Sequence, residues 1–328
     1  MKVEEGIAPA AEARSGRGVE LARVLKNYGI LIAFVLVCAV LAWLSPVFLR
    51  WTNVLNVIRQ SSIYGIMAIG MTFVILTGGI DLSVGSMLAF SGAIAAGLLK
   101  AGAPLPAVIA AALAVGALLG LANGFVITVG RITPFVTTLA MMTVARSLTL
   151  IFCNGYPISG FSTQFRFIGT GDFLGLPVPI LVFLATVVVA AVILRETRLG
   201  RYTYAIGGNE EAVRLSGIPS GFYKAMVYVF SGVGAGLSAV ILTSRLNSAE
   251  TVAGTGYELD VIAAVVIGGT SLNGGRGSVW GTLVGALLIA VINNGMVLLG
   301  INPYYQGLVK GLILLGAVLL DRLRDEQG

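Results

Sequence analysis

What most constrains this chain is its train of apolar runs. They fall at roughly 61–79, 83–99, 105–129, 134–152, 177–194, 222–243, 258–272, 278–299 and 304–320, after a first run at Tyr28–Leu44. A helical crossing of a bilayer needs about 20 apolar residues, with about 17 as a floor. Most of the runs reach that length, and 258–272 is short. With 57% hydrophobic and 11% charged residues, against about 25% charged in a soluble protein, the chain has too little polar surface to coat a globule. The expected fold is an all-α integral membrane protein of about ten transmembrane helices, with broken or re-entrant segments.

Residues 1–27 are polar and mixed in charge and read as a disordered cytoplasmic tail. The first run lacks a small-x-small cleavage site and reads as a retained span rather than a signal peptide. Residues 28–320 then form one transmembrane domain, and 321–328 a cytoplasmic C-terminal tail. Alternating the runs from a cytoplasmic N-terminus places most of the 21 Lys and Arg inside, and leaves Arg50, Arg59, Lys100, Arg166 and Arg245 outside. That is a positive-inside bias. The net charge of +6 is therefore topology rather than nucleic-acid affinity. There is no histidine and no G-x-x-x-x-G-K-[ST] loop, so the usual general base and a nucleotide-binding P-loop are both missing. The chain carries no sign of an enzyme or of a cofactor of its own.

Arg195–Gly221 is the one long polar interruption in the middle of the chain. Asn209 is placed to cap a short helix, Glu210 and Glu211 fall in its first turn, and Arg214 falls in its last. Gly217 and Pro219 stop it. A capped helix between spans, on the cytoplasmic side, is a handle for a partner. Its contacts are expected from Asn209, Glu210, Glu211, Arg214 and Gly217, with Val213 or Leu215 packing into the partner. On the opposite side, the long loop 153–176 is too aromatic for a plain linker and is a second candidate docking surface.

Two glycine-rich breaks could carry mechanism. In TGGIDLSVGS (77–86), Thr77, Gly78 and Gly79 end one helix, and Asp81 is placed to cap the next near Ser83, just before Gly85. This is either a tight capped turn or a broken helix lining a path. A similar stretch recurs with Gly268, Gly269, Thr270 and Asn273. The two match as a parallel pair, whereas an inverted repeat would need an odd offset of spans. Arg146, Glu258 and Asp260 lie at or near span ends, where snorkelling and helix-start carboxylates account for them. The stripes Gly116/Gly120/Gly124, Gly232/Gly236 and Gly307/Gly311 suit close helix packing within one subunit. An ion-coupled secondary sugar carrier would have to work through Asp81.

Four segments then carry a resemblance: AIGMTFVILTGGIDLSVGS (68–86), TRLGRYTYAIGGNEEAVRLSGI (197–218), TVAGTGYELDVIAAVVIGGTSLNGG (251–275) and INNGMVLLGINPYYQGLVKG (292–311). From about residue 45 to 320 the chain resembles the permease subunit of bacterial ATP-binding-cassette importers for monosaccharides, of the ribose type. The resemblance implies a multi-pass protein of the bacterial inner membrane that moves a ribose-like pentose inward. It implies a second permease copy, two ATP-binding cassette subunits holding ATP and Mg²⁺, a periplasmic sugar-binding protein, and surrounding lipid. It places the coupling segment on Gly208–Gly217. The path would offer hydroxyl and amide groups such as Thr77, Ser83, Asn273, Asn293 and Asn294.

Overall fold

The computed structural model describes residues 29–325; the expected tail at 1–27 and residues 326–328 lie outside them. Ten apolar helices run through the described chain: α1 Gly29–Leu44, α2 Trp51–Leu76, α3 Val84–Lys100, α4 Leu105–Thr128, α5 Pro134–Phe152, α7 Val178–Glu196, α9 Ser220–Leu246, α10 Tyr257–Ile267, α11 Val279–Leu298 and α12 Pro303–Asp325. Two more lie between them, α6 (Thr163–Thr170) in the long loop and α8 (Arg198–Leu215) in the polar interruption. The all-α membrane architecture is thus present. Six of the helices are long and apolar enough to cross a bilayer unaided. Of the others, α3 and α10 are short because the chain breaks inside the bundle just before each of them.

The only strands among the described residues are two-residue pairs in the loops at the α6 end. β1 (Ile158–Ser159) pairs antiparallel with β4 (Ser248–Ala249), and β2 (Asp172–Phe173) with β3 (Leu176–Pro177). The first pair ties the long loop down beside the end of α9.

The core is built from α2 and α9, the two long buried helices, which run antiparallel. Ser238 Oγ donates to the Ile63 carbonyl (3.0 Å), and a Cβ at Gly70 would meet the Ser231 backbone. On α9, Gly232 faces Gly116 of α4 so closely that a Cβ on either would fall onto the other's carbonyl oxygen. Small residues here replace a hydrophobic driving force that lipid cannot supply.

The packing pattern repeats with inversion. α3 packs on α4, α5 and α9, while α10 packs on α11, α12 and α2; α4 lies along α9 as α11 lies along α2. The units are α2–α5 and α9–α12, five spans apart, an odd offset and hence inverted. The apparent match between 77–86 and 268–278 is therefore not the repeat. The counterpart of the break at 77–83 is the stretch 247–256, which likewise links a long core helix to a short one.

Both breaks reach deep into the bundle. At 1.5 Å per residue α9 is about 40 Å long, and Asp81 hydrogen-bonds Ser231, roughly 16 Å in from the α8 end. From the other end, Gly254 abuts Gly85. Gly92 is level with Thr243 near the far end of α9, so Gly85 lies roughly 10 Å deeper. The starts of α3 and α10 meet in the middle.

Candidate functional site

At the α8 end three segments share backbone. The Gly275 N–H donates to the Leu76 carbonyl (2.9 Å), the last residue of α2. A Cβ on Gly207 would collide with that same carbonyl and with the Gly275 nitrogen. Gly274 and Gly275 have φ of +87° and +72°, a region where glycine carries no steric cost. Tyr204 Oη donates to the Gly277 carbonyl (2.9 Å). Burial holds its phenol above the usual tyrosine range, so the proton stays for that bond. A cavity of about 330 Å³ opens beside this joint, lined by Gly207, Gly208, Ser271, Asn273, Gly274 and Gly275.

The handle follows. Asn209 breaks α8 with φ −162° and ψ 95°, and its side-chain oxygen accepts from the Ala212 N–H (2.9 Å), an N-cap in geometry and position. Glu210 pairs with Lys224 (2.8 Å) and Glu211 lies 3.6 Å from Arg214. Gly217 has φ +78°, which ends the helix in the left-handed turn typical of a C′ glycine. Of the two apolar candidates, Leu215 is 80% exposed, whereas Val213 is 7% exposed and packs inside the chain. Leu215 is the side chain free to meet a partner.

The second group surrounds Asp81. Its Oδ1 accepts from the Ser83 N–H (3.0 Å) and the Ser83 hydroxyl (2.5 Å), and its Oδ2 from the Ser231 hydroxyl (2.8 Å). Asn123 Nδ2 donates in turn to Ser83 Oγ (2.9 Å). Asp81 and Ser83 are both fully buried. The Ser83 bonds close the turn on itself, the Ser231 and Asn123 bonds tie the start of α3 to α9 and α4, and the carboxylate has no exposed surface, which makes it a poor ion-coupling group. Thr77 spends its hydroxyl on the Val74 carbonyl (2.8 Å). Gly78 turns the chain at φ +74°, and a Cβ at Gly79 would strike the Tyr228 hydroxyl.

The two glycine-rich breaks touch at the α8 joint, where a Cβ on Gly274 would meet the Gly78 nitrogen and one on Gly78 the Asn273 carbonyl, but they meet as close backbone packing rather than as the walls of a path. Gly268 packs against Gly281, Gly269 turns at φ +88°, Thr270 is fully buried, and Asn273 sits at the α8 joint. Asn294 exchanges side-chain hydrogen bonds with Asn53 (3.0 and 2.9 Å), pinning α11 to α2.

The third group is Arg146, Glu258 and Asp260, for which the sequence suggests only snorkelling and helix-start carboxylates. Arg146 does not snorkel: it turns inward and donates to the carbonyls of Thr251 and Ala253 (2.9 and 2.8 Å). Lys310 pairs with Asp260 (2.7 Å), whose side chain is 1% exposed. The available signal was that Arg146 and Lys310 fall inside apolar runs, where charge is costly unless it serves something.

The model of the family described as "Branched-chain amino acid transport system / permease component" matches residues 53–318. The chain is 50% identical over 304 residues to the ribose import permease protein of Bacillus subtilis, covering 92% of this chain and 94% of the relative. It is 47% identical over 299 residues to the ribose import permease protein of Escherichia coli (90% and 93%). Against the D-allose transport system permease protein of Escherichia coli it is 37% identical over 315 residues (95% and 97%). No solved structure matches the chain.

Proposed function

The chain belongs to the permease-component family of the branched-chain amino acid transport systems, and on that premise we propose that it is the membrane subunit of an ATP-binding-cassette importer for a ribose-like pentose. The higher identity to ribose permeases than to the allose permease supports the pentose. The importer sits in the bacterial inner membrane with its termini and α8 in the cytoplasm. ATP and Mg²⁺ are held by partner cassette subunits. A periplasmic binding protein delivers the sugar to the α6 side and carries most of the selectivity. A second permease copy completes the path; Gly307 and Gly311, expected to pack within one subunit, instead leave an open face on α12 where a Cβ would meet nothing, and this face suits such a neighbour.

The observation that carries this reading is the three-way backbone joint at Leu76, Gly207 and Gly275. Movement of the handle at Asn209–Gly217 passes through it without slack to α2 and to the loop joining α10 and α11. Closure of two cassettes would pull on Glu210, Glu211, Arg214 and Leu215. The inverted halves would then tilt about the breaks, with Gly78, Gly79 and Gly85 on one side and Gly268, Gly269 and Thr270 on the other, so that access alternates.

The test is the triple variant Glu210→Ala, Glu211→Ala, Arg214→Ala in proteoliposomes with the cassette subunit and binding protein. Sugar-stimulated ATPase activity and uptake are expected to fall about tenfold or more, the loss of two or more partner contacts of about 1 kcal/mol each. Wild-type coupling in that variant would overturn the role of the handle.

A further inference from the structure

A cavity of about 280 Å³ opens beside the start of α10, lined by Ser86, Met142, Thr143, Arg146, Ser147, Thr255 and Glu258. Ser86 stands in the first turn of α3, the next four on α5, and Thr255 and Glu258 on the re-entrant stretch and its helix. Arg146 lies roughly 18 Å along the 19-residue α5 from its α8 end. The cavity therefore sits at the depth where the two half-helices meet. Thr143, Ser147 and Thr255 are exposed at its mouth.

Polar groups at that depth need a reason. Lipid-facing hydroxyls and an Arg–Glu couple would lose their hydration with no return, so this face of α5 borders water or another polar surface. The Glu258 carboxylate lies 2.9 Å from where a Cβ on Gly85 would stand, and it interacts electrostatically with Arg146. Two of the five guanidinium N–H groups bond the Thr251 and Ala253 carbonyls. The other three can donate to a ligand, and the carboxylate and four hydroxyls line the rest; Thr143 and Thr255 already donate to the Leu139 and Val252 carbonyls (3.3 and 2.8 Å), which leaves their oxygens as acceptors. A pentose offers ring hydroxyls that both donate and accept, and the cavity falls just below the usual range of about 300–1,000 Å³ for small-ligand sites.

Resting on the permease reading above, we propose that Arg146, Glu258, Thr143, Ser147, Ser86 and Thr255 form a transit site for a monosaccharide midway through the chain. Arg146 also holds the re-entrant stretch through its two carbonyl bonds, so sugar bound by its other N–H groups is held beside the 251–253 segment. The two glycine-rich breaks at 77–79 and 268–273 then flank the path without binding the sugar.

The test uses the full transporter, reconstituted with cassette subunit and binding protein, in a Cys38→Ser, Cys153→Ser background. T143C and S147C are exposed to a membrane-impermeant cationic methanethiosulfonate, with V189C, an exposed apolar position of α7 away from the cavities described, as the lipid-facing control. T143C and S147C should be labelled, V189C should not, and D-ribose with binding protein during turnover should slow the labelling several-fold. In parallel, E258Q and R146Q should lower ribose uptake about tenfold or more, the usual cost of a charged hydrogen bond lost to a ligand. Unlabelled T143C and S147C would overturn the site, as would labelling indifferent to ribose or uptake by E258Q within about twofold of the parent. If the parent complex moved no ribose at all, the pentose reading would fall, and labelling of T143C and S147C would still show whether the face is water-lined.

Discussion

The two re-entrant breaks, 77–83 and 247–256, hold the same place in inverted halves and are used in opposite ways. The first is sealed. Asp81 fills its oxygens with Ser83 and Ser231, Asn123 closes the ring from α4, and the carboxylate is fully buried. The second is hollow: Glu258 and Arg146 stand at a cavity whose mouth carries exposed hydroxyls. One inverted repeat thus supplies a fixed pivot and a polar opening from the same topological device. Charge content does not distinguish them, since both carry a carboxylate beside a helix start; satisfaction and access do.

The contrast can be broken most severely at the second half's ion pair. Lys310→Met strands Asp260 in a buried site, and removal of one partner of a buried pair costs about 3–5 kcal/mol. A large drop in the thermal midpoint of the detergent-purified protein is expected, with much of it recovered by adding Asp260→Asn. No recovery in the double variant would show that the pair does more than neutralise itself.

Next comes the contact between the halves. Gly85→Ala places a methyl group on the Gly254 carbonyl and beside Glu258, and overpacking of this kind costs about 1–3 kcal/mol. It should lower both the thermal midpoint and transport, whereas Gly208→Ala, which meets open space, should change stability little. Equal effects from the two would mean that the breaks do not touch in the working protein.

Asp81→Ala should cost about 1–3 kcal/mol by orphaning the buried Ser83 and Ser231 donors, and Asp81→Asn less, because its side-chain carbonyl can still accept. Both should leave residual transport in proportion to folded protein, measured by uptake normalised to monodisperse yield. Transport abolished in a fully folded Asp81→Asn would place this carboxylate on the path and dissolve the contrast. The smallest effect is expected for Thr143→Val, which removes one hydroxyl from the cavity mouth at an exposed position: stability within about 0.5 kcal/mol, and a modest rise in the apparent KM for ribose uptake.

Much of this was legible in the residues. The apolar runs set the number of helices, because a bilayer fixes the length of a crossing. The Asn209 cap, the Gly217 stop and the Asp81–Ser83 cap were also readable, since each is a local hydrogen bond spanning two or three residues and depends on nothing distant. The 251–275 and 197–218 segments carried the family, which the match over 53–318 bears out.

What the chain could not announce is which of its charges are enclosed. Arg146 looks like a snorkelling residue until Thr251 and Ala253, more than a hundred positions away, present their carbonyls to it. Val213 and Leu215 are equivalent in composition, yet only the fold buries one and exposes the other. The parallel match between two glycine-rich stretches gave way to an inverted repeat, because helix pairing is decided by which faces can approach closely, as Gly116 and Gly232 do. Local chemistry and membrane thickness therefore determined the elements and their caps from the sequence alone. Long-range packing of helix on helix decided which break became a pivot and which an opening.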